Sequence, residues 1–311
     1  MLHTIFDGHC DTVKVLCDKN QSLLKNDCHV DIEKMSKNNH IQFFAAFINA
    51  KKDILPPFQR CNKLIDCYHK EIMKNLSKIQ HCCSKTEIID AVAVGKTAAL
   101  LSVEGGEALE GKLENLLYFY NRGVRLMTLC WNYQNEICSG VDAAIDTGLT
   151  EFGEAVVDKM NEIGMIVDVS HMSEKSFWDT VQRSKTPIMA SHSNAFSIQN
   201  HKRNLKDEQI TAIIKNNGCI GINLFADFLG DENCNISTVI KHIEYILALG
   251  GENNIGFGSD FDGMRALPKG IRSIQDIKKI PEEMLRMGYS EELVKKITHE
   301  NFLRLISNVL K

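Results

Sequence analysis

Short apolar runs recur along the chain, and each is followed by a polar turn and then by a longer segment with helical spacing. The runs are almost continuously apolar and do not alternate with polar residues, which is typical of parallel strands buried on both faces. Eight of them are predicted as strands, over residues 4–6, 42–49, 98–103, 124–129, 165–169, 187–190, 219–225 and 255–257.

Apolar residues at helical spacing fill the segments between these runs. Thr150 and Ser173 stand where the N-caps of two such helices are expected, and Gly164 stands where the first of the two should stop. The predicted helices cover residues 59–77, 113–121, 152–163, 174–183, 207–215, 237–249 and 291–310.

Strands that alternate with helices indicate a parallel sheet. Eight such units in 311 residues predict one α/β domain over residues 1–311, a (β/α)8 barrel of the TIM type. An open doubly wound sheet is the alternative, but the Gly-rich phosphate loop that often follows its first strand is missing from this sequence. The long segment 11–40 is expected to fold partly over the mouth of the barrel.

The composition narrows the classes of partner and the compartment. A net charge of −4 argues against nucleic acid, whose binding domains are usually basic. No apolar run reaches the roughly 18 residues of a membrane span, and the first residues do not read as a signal peptide. Eleven cysteines, an odd number, favour reduced thiols. A cytoplasmic protein without membrane contact is therefore expected.

Acids and histidines recur where the predicted strands end, and barrel enzymes build their active sites at that face. Taken singly, each has an ordinary alternative, such as a hydrogen-bonded core histidine or an acid at a helix start. Their shared position makes them candidate metal ligands. The six residues are His9, Asp11, Glu104, His171, His192 and Asp260.

The spacing of these six residues suits two cations. His9 and Asp11 lie two residues apart and point to the same side of a strand, and the last strand would bring Asp260 beside them. Glu104 has two carboxylate oxygens and can bridge two ions. Three carboxylates and three histidines fit two divalent metal ions roughly 3.5–4 Å apart with a water or hydroxide between them. Zinc is favoured, with manganese and cobalt as alternatives.

A catalytic serine is the competing interpretation of the same strand ends. Ser170 and Ser191 each precede a histidine, but neighbours along a strand face opposite ways, and no G-x-S-x-G elbow is present. The metal interpretation is therefore preferred.

These motifs resemble the membrane (renal) dipeptidase family of zinc metallopeptidases, within the amidohydrolase-like barrels. The resemblance extends over nearly the whole chain, and the combination of motifs is highly specific. The matching stretches are residues 6–12, 102–106, 123–129, 148–207 (with Asp168-Val169-Ser170-His171 and Ala190-Ser191-His192-Ser193-Asn194), 255–263 and 301–304.

The resemblance implies roles for the candidate residues. His9, Asp11, Glu104 and Asp260 would hold one zinc, and Glu104, His171 and His192 the other. Asp260 and Glu104 are the expected catalytic residues, and Asp260 would carry the proton to the leaving amine. Arg203 matches the arginine that grips the free carboxylate of the substrate, although alone it would be taken for a solvated surface charge. A homodimer is also implied.

Two positions depart from the family pattern. Trp131 stands where the family often has a histidine that contacts the reacting centre. Trp131 is expected either to stack on the substrate or to cap the barrel. Cys10 stands between His9 and Asp11 where asparagine is usual, and it should face away from His9.

The function that follows is hydrolysis of dipeptides, including L,D-dipeptides, by a hydroxide that bridges the two metals. A related binuclear-metal barrel hydrolase acting on another amide, lactone or ester is the alternative. A barrel that kept its metals but only binds a partner is a third interpretation, which the complete ligand set disfavours.

Overall fold

A computed structural model describes residues 4–231 and 233–311 of the chain. Nine strands are found in this part, and all pairings among them are parallel. Their bounds are β1 Thr4–Asp7, β2 Asn39–Phe47, β3 Ile79–His81, β4 Thr97–Glu104, β5 Val124–Thr128, β6 Ile166–Asp168, β7 Met189–Ala190, β8 Cys219–Ile222 and β9 Ile255–Phe257.

Eight of the strands close into a barrel in the order β1-β2-β4-β5-β6-β7-β8-β9, and β9 pairs back to β1. The predicted (β/α)8 barrel is confirmed. The ninth strand, β3, was not predicted, because Ile79-Gln80-His81 holds only one strongly apolar residue. It pairs with the first part of β4, while β5 pairs with the second part.

Helices follow most of the strands and surround the barrel. The α-helices are α1 Thr12–Lys19, α2 Ile32–Met35, α3 Pro57–Lys74, α4 Lys85–Ala93, α5 Leu113–Asn121, α6 Glu151–Ile163, α7 Glu174–Arg183, α8 Asp207–Lys215, α9 Ala226–Leu229, α10 Ile236–Ala248, α11 Lys279–Arg286, α12 Glu291–Lys295 and α13 Asn301–Val309. Short 3-10 turns cover Gly106–Leu109 and Ile274–Asp276.

The predicted caps are confirmed where the helices begin and end. The Thr150 hydroxyl accepts a hydrogen bond from the Gly153 amide at 2.9 Å, and Gly164 ends α6 in a left-handed conformation. The sequence did not predict α1, α2, α4, α9 or α11, and it predicted one continuous helix over 291–310. A π-helical turn at Lys296–Glu300 instead separates α12 from α13.

The core has two layers, one inside the barrel and one between the barrel and its helices. Strand residues that point inward fill the barrel, among them Phe6, Phe43, Leu100 and Met189. Alternate residues of the same strands pack against the helices. In the described residues, no helix combines the length and the apolar character that crossing a membrane requires.

The start of α13 lies at the end of the barrel opposite the candidate site, where Asn301 donates to the Ile255 carbonyl, and Phe302 extends from it into the barrel. Its ring lies edge-on to Phe6, with centroids 5.3 Å apart. A Cβ atom at Gly256 would lie only 2.5 Å from this ring, so glycine is needed there to let the helix approach. The C-terminal helix thereby anchors β1 and β9, the two strands that carry part of the site.

The segment between β1 and β2 reaches the loop after β9, as the sequence suggested. Asp262 accepts hydrogen bonds from the Thr12 hydroxyl at 2.6 Å and from the His29 amide at 2.7 Å. The loop after β9 carries Asp260, so these contacts fix the position of a candidate ligand.

Candidate metal centre

The described strands bring all six candidate ligands to one end of the barrel, where parallel strands end. Glu104 is the last residue of β4, and the other five lie in the turns just beyond β1, β6, β7 and β9. The set is buried, with Asp260 the most exposed, and comprises His9, Asp11, Glu104, His171, His192 and Asp260.

Glu104 lies at the middle of the cluster. Its Oε2 atom is 3.3 Å from His9 Nε2, and its Oε1 atom is 3.0 Å from His171 Nε2 and 3.7 Å from His192 Nε2. The two oxygens thus face different histidines. This is the arrangement that a carboxylate shared by two cations requires.

Two overlapping groups of donor atoms have the size of metal sites. In each, the donor atoms lie within 4.8 Å of one another; one group is His9, Glu104 and His192, and the other is His9, Asp11 and Asp260. His9 Nε2 lies 3.9 Å from Asp11 Oδ2.

Several buried atoms of this cluster have no hydrogen-bond partner among the described residues. They are both ring nitrogens of His9, Asp11 Oδ1 and Glu104 Oε2. Buried polar atoms are nearly always satisfied, and those that are not call for a specific explanation. Nitrogen and oxygen donors gathered in one buried cluster fit a pair of divalent cations.

The backbone is strained at two ligands. His171 has φ 71° and Asp260 has φ 61°, in the left-handed region that non-glycine residues seldom adopt. Gly263 packs against the same carboxylates: a Cβ atom there would lie 2.0 Å from Asp11 Oδ2 and 2.5 Å from Asp260 Oδ1. The backbone at these residues is therefore held in an unfavourable conformation that orients the candidate ligands.

Burial shifts the pKa values of the candidate ligands in directions that bound cations would offset. Burial raises the pKa of Glu104 to about 8, although His9 opposes the shift, and burial raises the pKa of Asp260 to about 6. Burial also lowers the pKa of His171 and His192 well below the usual range, so both rings are neutral. Neutral imidazoles are the form that binds metal, and bound cations would stabilise the carboxylates as anions.

Three residues that support the ligands were missed as functional by sequence reasoning. Asn132 Oδ1 lies 2.6 Å from His171 Nδ1, and Asn223 Nδ2 donates to Asp260 Oδ2 at 3.0 Å. Asp168 accepts a hydrogen bond from Ser191, which contacts His192. The only sequence signal was the position of Asp168 at the end of a strand.

Arg203 is buried, not the solvated surface charge that it would be taken for on its own. It is 5% exposed, and its Nη2 atom donates to the His192 carbonyl at 3.4 Å. Its Nε atom has no hydrogen-bond partner within the described part of the chain. A guanidinium beside the candidate ligands that forms no ion pair with a described carboxylate is suited to an anionic ligand.

Trp131 is half-buried beside the centre. Its ring centroid lies 6.3 Å from that of His171 and 5.4 Å from that of Phe47. Both expectations for Trp131, stacking on a substrate and capping the barrel, agree with this position. Cys10 faces away from the cluster, and its thiol contacts the Phe43 carbonyl at 3.5 Å.

Comparison with known proteins agrees with this geometry. A model of the membrane dipeptidase family (peptidase family M19) matches residues 2–311. A Klebsiella pneumoniae protein, known as the uncharacterised protein in the pqqA 5′ region, is 32% identical over 249 residues, which are 76% of this chain and 92% of that protein.

Two solved structures superpose over almost the whole chain. Dipeptidase AC, a metallopeptidase of family M19, has a TM-score of 0.92 at 26% identity and covers 100% of this chain and 99% of its own. A Rhodobacter sphaeroides metallopeptidase, liganded with a phosphinate mimic of the dipeptide L-Ala-D-Ala, has a TM-score of 0.92 at 25% identity, with coverage of 99% and 100%.

Fold and site together define a metal-dependent hydrolase built on a (β/α)8 barrel. The chain belongs to the membrane dipeptidase family, peptidase family M19. It is accordingly a metallopeptidase of the dipeptidase type, and the resemblance inferred from the sequence motifs is confirmed.

Proposed function

We propose that this protein cleaves dipeptides that carry a free C-terminal carboxylate, with two zinc ions held by the six clustered side chains. L,D-dipeptides are proposed among its substrates. The Rhodobacter sphaeroides structure supports this proposal, because the mimic bound there is of L-Ala-D-Ala.

Glu104, His171 and His192 would hold one cation, and His9, Asp11, Asp260 and the second Glu104 oxygen the other. The unpartnered donor atoms of His9, Asp11 and Glu104 support this assignment. Divalent ions bound there supply Lewis acidity and a nucleophile at neutral pH.

The buried position of Arg203 is the observation that supports the proposed class of substrate. Its guanidinium is buried next to the ligands, and its Nε donor is unpartnered among the described residues. We assign it to the C-terminal carboxylate of the dipeptide, which its planar fork can bind through two parallel hydrogen bonds. Binding there would place the peptide bond of so short a substrate over the centre.

Asp260 is assigned the proton transfer. Asn223 holds its Oδ2 atom at 3.0 Å, and its Oδ1 atom lies on the side of Asp11 and Gly263. A carboxylate fixed by one oxygen can accept the proton of the attacking water on the other oxygen. It then delivers that proton to the leaving amine.

An Arg203→Met variant tests the carboxylate assignment. A hydrogen bond to a charged group contributes about 1.5–3 kcal/mol, so we expect KM for dipeptides to rise about 10- to 100-fold. The same dipeptides with an amidated C-terminus should be cleaved equally, and poorly, by both proteins. Lys202→Met is the matched control, since Lys202 is exposed and pairs with Asp142.

Steady-state kinetics of the zinc-loaded protein on a panel of L,L- and L,D-dipeptides would decide the proposal. Cleavage of some members with zinc-dependent rates supports it. Failure to cleave any member, with zinc bound at two ions per chain, would overturn it. Equal loss of activity on acids and amides in Arg203→Met would overturn the role of Arg203 alone.

We also propose a cytoplasmic location and a homodimer. The odd number of cysteines favours a reducing compartment, and the dimer rests on the family resemblance. Cell fractionation and sedimentation of the zinc-loaded protein test these two points separately.

A further inference from the structure

On its Nδ1 side, the imidazole of His192 is held by a series of hydrogen bonds among buried groups. Its Nδ1 atom lies 2.7 Å from the Ser191 hydroxyl, which donates to Asp168 Oδ2 at 2.6 Å. Asp168 also accepts hydrogen bonds from the Thr128 hydroxyl at 2.6 Å and from the Ser170 and Ser191 amides at 3.0 and 2.9 Å. All the polar groups in this series of hydrogen bonds are buried.

The direction of each hydrogen bond follows from the number of protons available. Asp168 is surrounded by four donors, so it acts only as an acceptor, and the single hydroxyl proton of Ser191 must point at it. Ser191 can then only accept from His192, whose Nδ1 atom must carry a proton. The lone pair of His192 is therefore on Nε2, which faces Glu104 Oε1 at 3.7 Å and His171 Nε2 at 2.8 Å.

Asn132 fixes the position of the ring proton of His171 in the same way. Its Oδ1 atom lies 2.6 Å from His171 Nδ1, and an amide oxygen is only an acceptor. The proton of His171 is therefore on Nδ1, and its Nε2 lone pair faces Glu104 Oε1 at 3.0 Å. Asn132 follows Trp131, so the segment that departs from the family pattern also supplies this contact.

His9 lacks such a support. Neither of its ring nitrogens has a hydrogen-bond partner among the described residues. The support is thus confined to the two histidines that share Glu104 Oε1.

We propose that Ser191, backed by Asp168, and Asn132 are positioning residues for one of the two cations, the one shared by Glu104, His171 and His192. The inference rests on the proposed dinuclear centre. These residues fix the tautomer and the ring orientation of the two histidines before a cation arrives. Loss of such support typically weakens metal affinity 10- to 100-fold, and here it should weaken one affinity out of two.

Two pairs of variants isolate the hydrogen bonds. Ser191→Ala removes the hydroxyl that faces His192, and Ser193→Ala removes a buried hydroxyl from the same turn that has no partner among the described residues. Asn132→Leu removes the acceptor for His171, whereas Asn132→Asp keeps an oxygen there. Asn132 is only half-buried, so its pair remains informative if Ser191→Ala fails to fold.

Competition between protein and a chromophoric chelator gives the stepwise zinc affinities of each purified variant. We expect one of the two dissociation constants to rise about 10- to 100-fold in Ser191→Ala and Asn132→Leu, with the other within about threefold of wild type. Ser193→Ala and Asn132→Asp should match wild type. In proton NMR of the cobalt-loaded protein, each weakening variant should lose one exchangeable ring N–H signal.

The outcomes separate this inference from the proposed function. If wild type binds fewer than two zinc ions, the dinuclear centre itself is wrong. If wild type binds two and all four variants keep both affinities, only the positioning role is wrong. Equal weakening of both affinities in Ser191→Ala and Ser193→Ala would indicate a general structural effect and would also overturn it.

Discussion

At the scale of single residues, the centre depends as much on small and neutral groups as on its ligands. Gly263 leaves room for two carboxylates, and Asn223 and Asn132 each hold one ligand. The sequence indicated the six candidate ligands because each follows an apolar strand. It could not identify Asn132 as a partner of His171, because 39 residues separate them and the contact is made between the loops that follow the paired strands β5 and β6.

Gly263→Ala tests how closely the carboxylates are packed. The new Cβ atom would lie 2.0 Å from Asp11 Oδ2, so Asp11 or Asp260 must move away from the centre. We expect zinc affinity at one position to fall by at least about tenfold, with the fold intact by circular dichroism. Gly230→Ala is the control, because a Cβ atom there meets nothing closer than 3.5 Å. Unchanged zinc content in Gly263→Ala would contradict the packing argument.

At the scale of elements, the barrel strands were predictable and the short irregular pieces were not. The strands of the barrel are recognisable in the sequence as apolar runs, whereas β3 has only three residues and a single strongly apolar one. The π-helical turn at Lys296–Glu300 was also missed, because an apolar pattern with helical spacing continues through it. This turn leads into α13, whose first turn carries Phe302 into the end of the barrel.

Phe302→Ala tests the contribution of α13 to the barrel. Removing a buried phenylalanine ring leaves a cavity and typically costs about 3–5 kcal/mol of unfolding free energy. Chemical denaturation of the zinc-loaded protein should show this loss, while two zinc ions remain bound, because the ring packs on Phe6 and beside Gly8 and Gly256, below the candidate ligands. Asn308→Ala, on the exposed face of the same helix, should change stability by less than about 0.5 kcal/mol. Loss of zinc together with stability would show that the two ends are coupled.

At the scale of the whole molecule, the barrel concentrates acidic groups whose negative charge is balanced by protons in the metal-free protein and would be balanced by bound cations. Strands from distant parts of the chain bring Asp11, Glu104 and Asp260 into one buried cluster. Sequence reasoning could place these acids at one face, because the order of strands in a barrel is fixed. It could not foresee how strongly burial would raise the pKa of Glu104, because that depends on the exclusion of water by the finished fold.

The metal-free protein should therefore lose stability as the pH rises from about 7.5 to 8. The pKa of Glu104 is raised by burial to about 8, so the folded chain binds a proton there that the unfolded chain has already released. The pKa of His9 is also raised: burial lowers it, but Glu104 and Asp11 raise it further. Each such proton lowers the free energy of unfolding by up to about 1.4 kcal/mol per pH unit.

Zinc should reverse this slope, because the ion must displace the same protons. Metal that binds only the folded chain stabilises it by mass action, by about 4 kcal/mol at a thousand times its dissociation constant, and its affinity rises as the ligands lose protons. Thermal unfolding from pH 7.5 to 8 should thus show a falling Tm with chelator and a level or rising Tm with excess zinc. The histidines whose pKa values burial lowers contribute little in this window, because above about pH 7.5 most of them are neutral in the unfolded chain as well. Parallel slopes with and without zinc would mean that the protons displaced by zinc are not those of Glu104 and His9, and the centre would have to be assigned elsewhere.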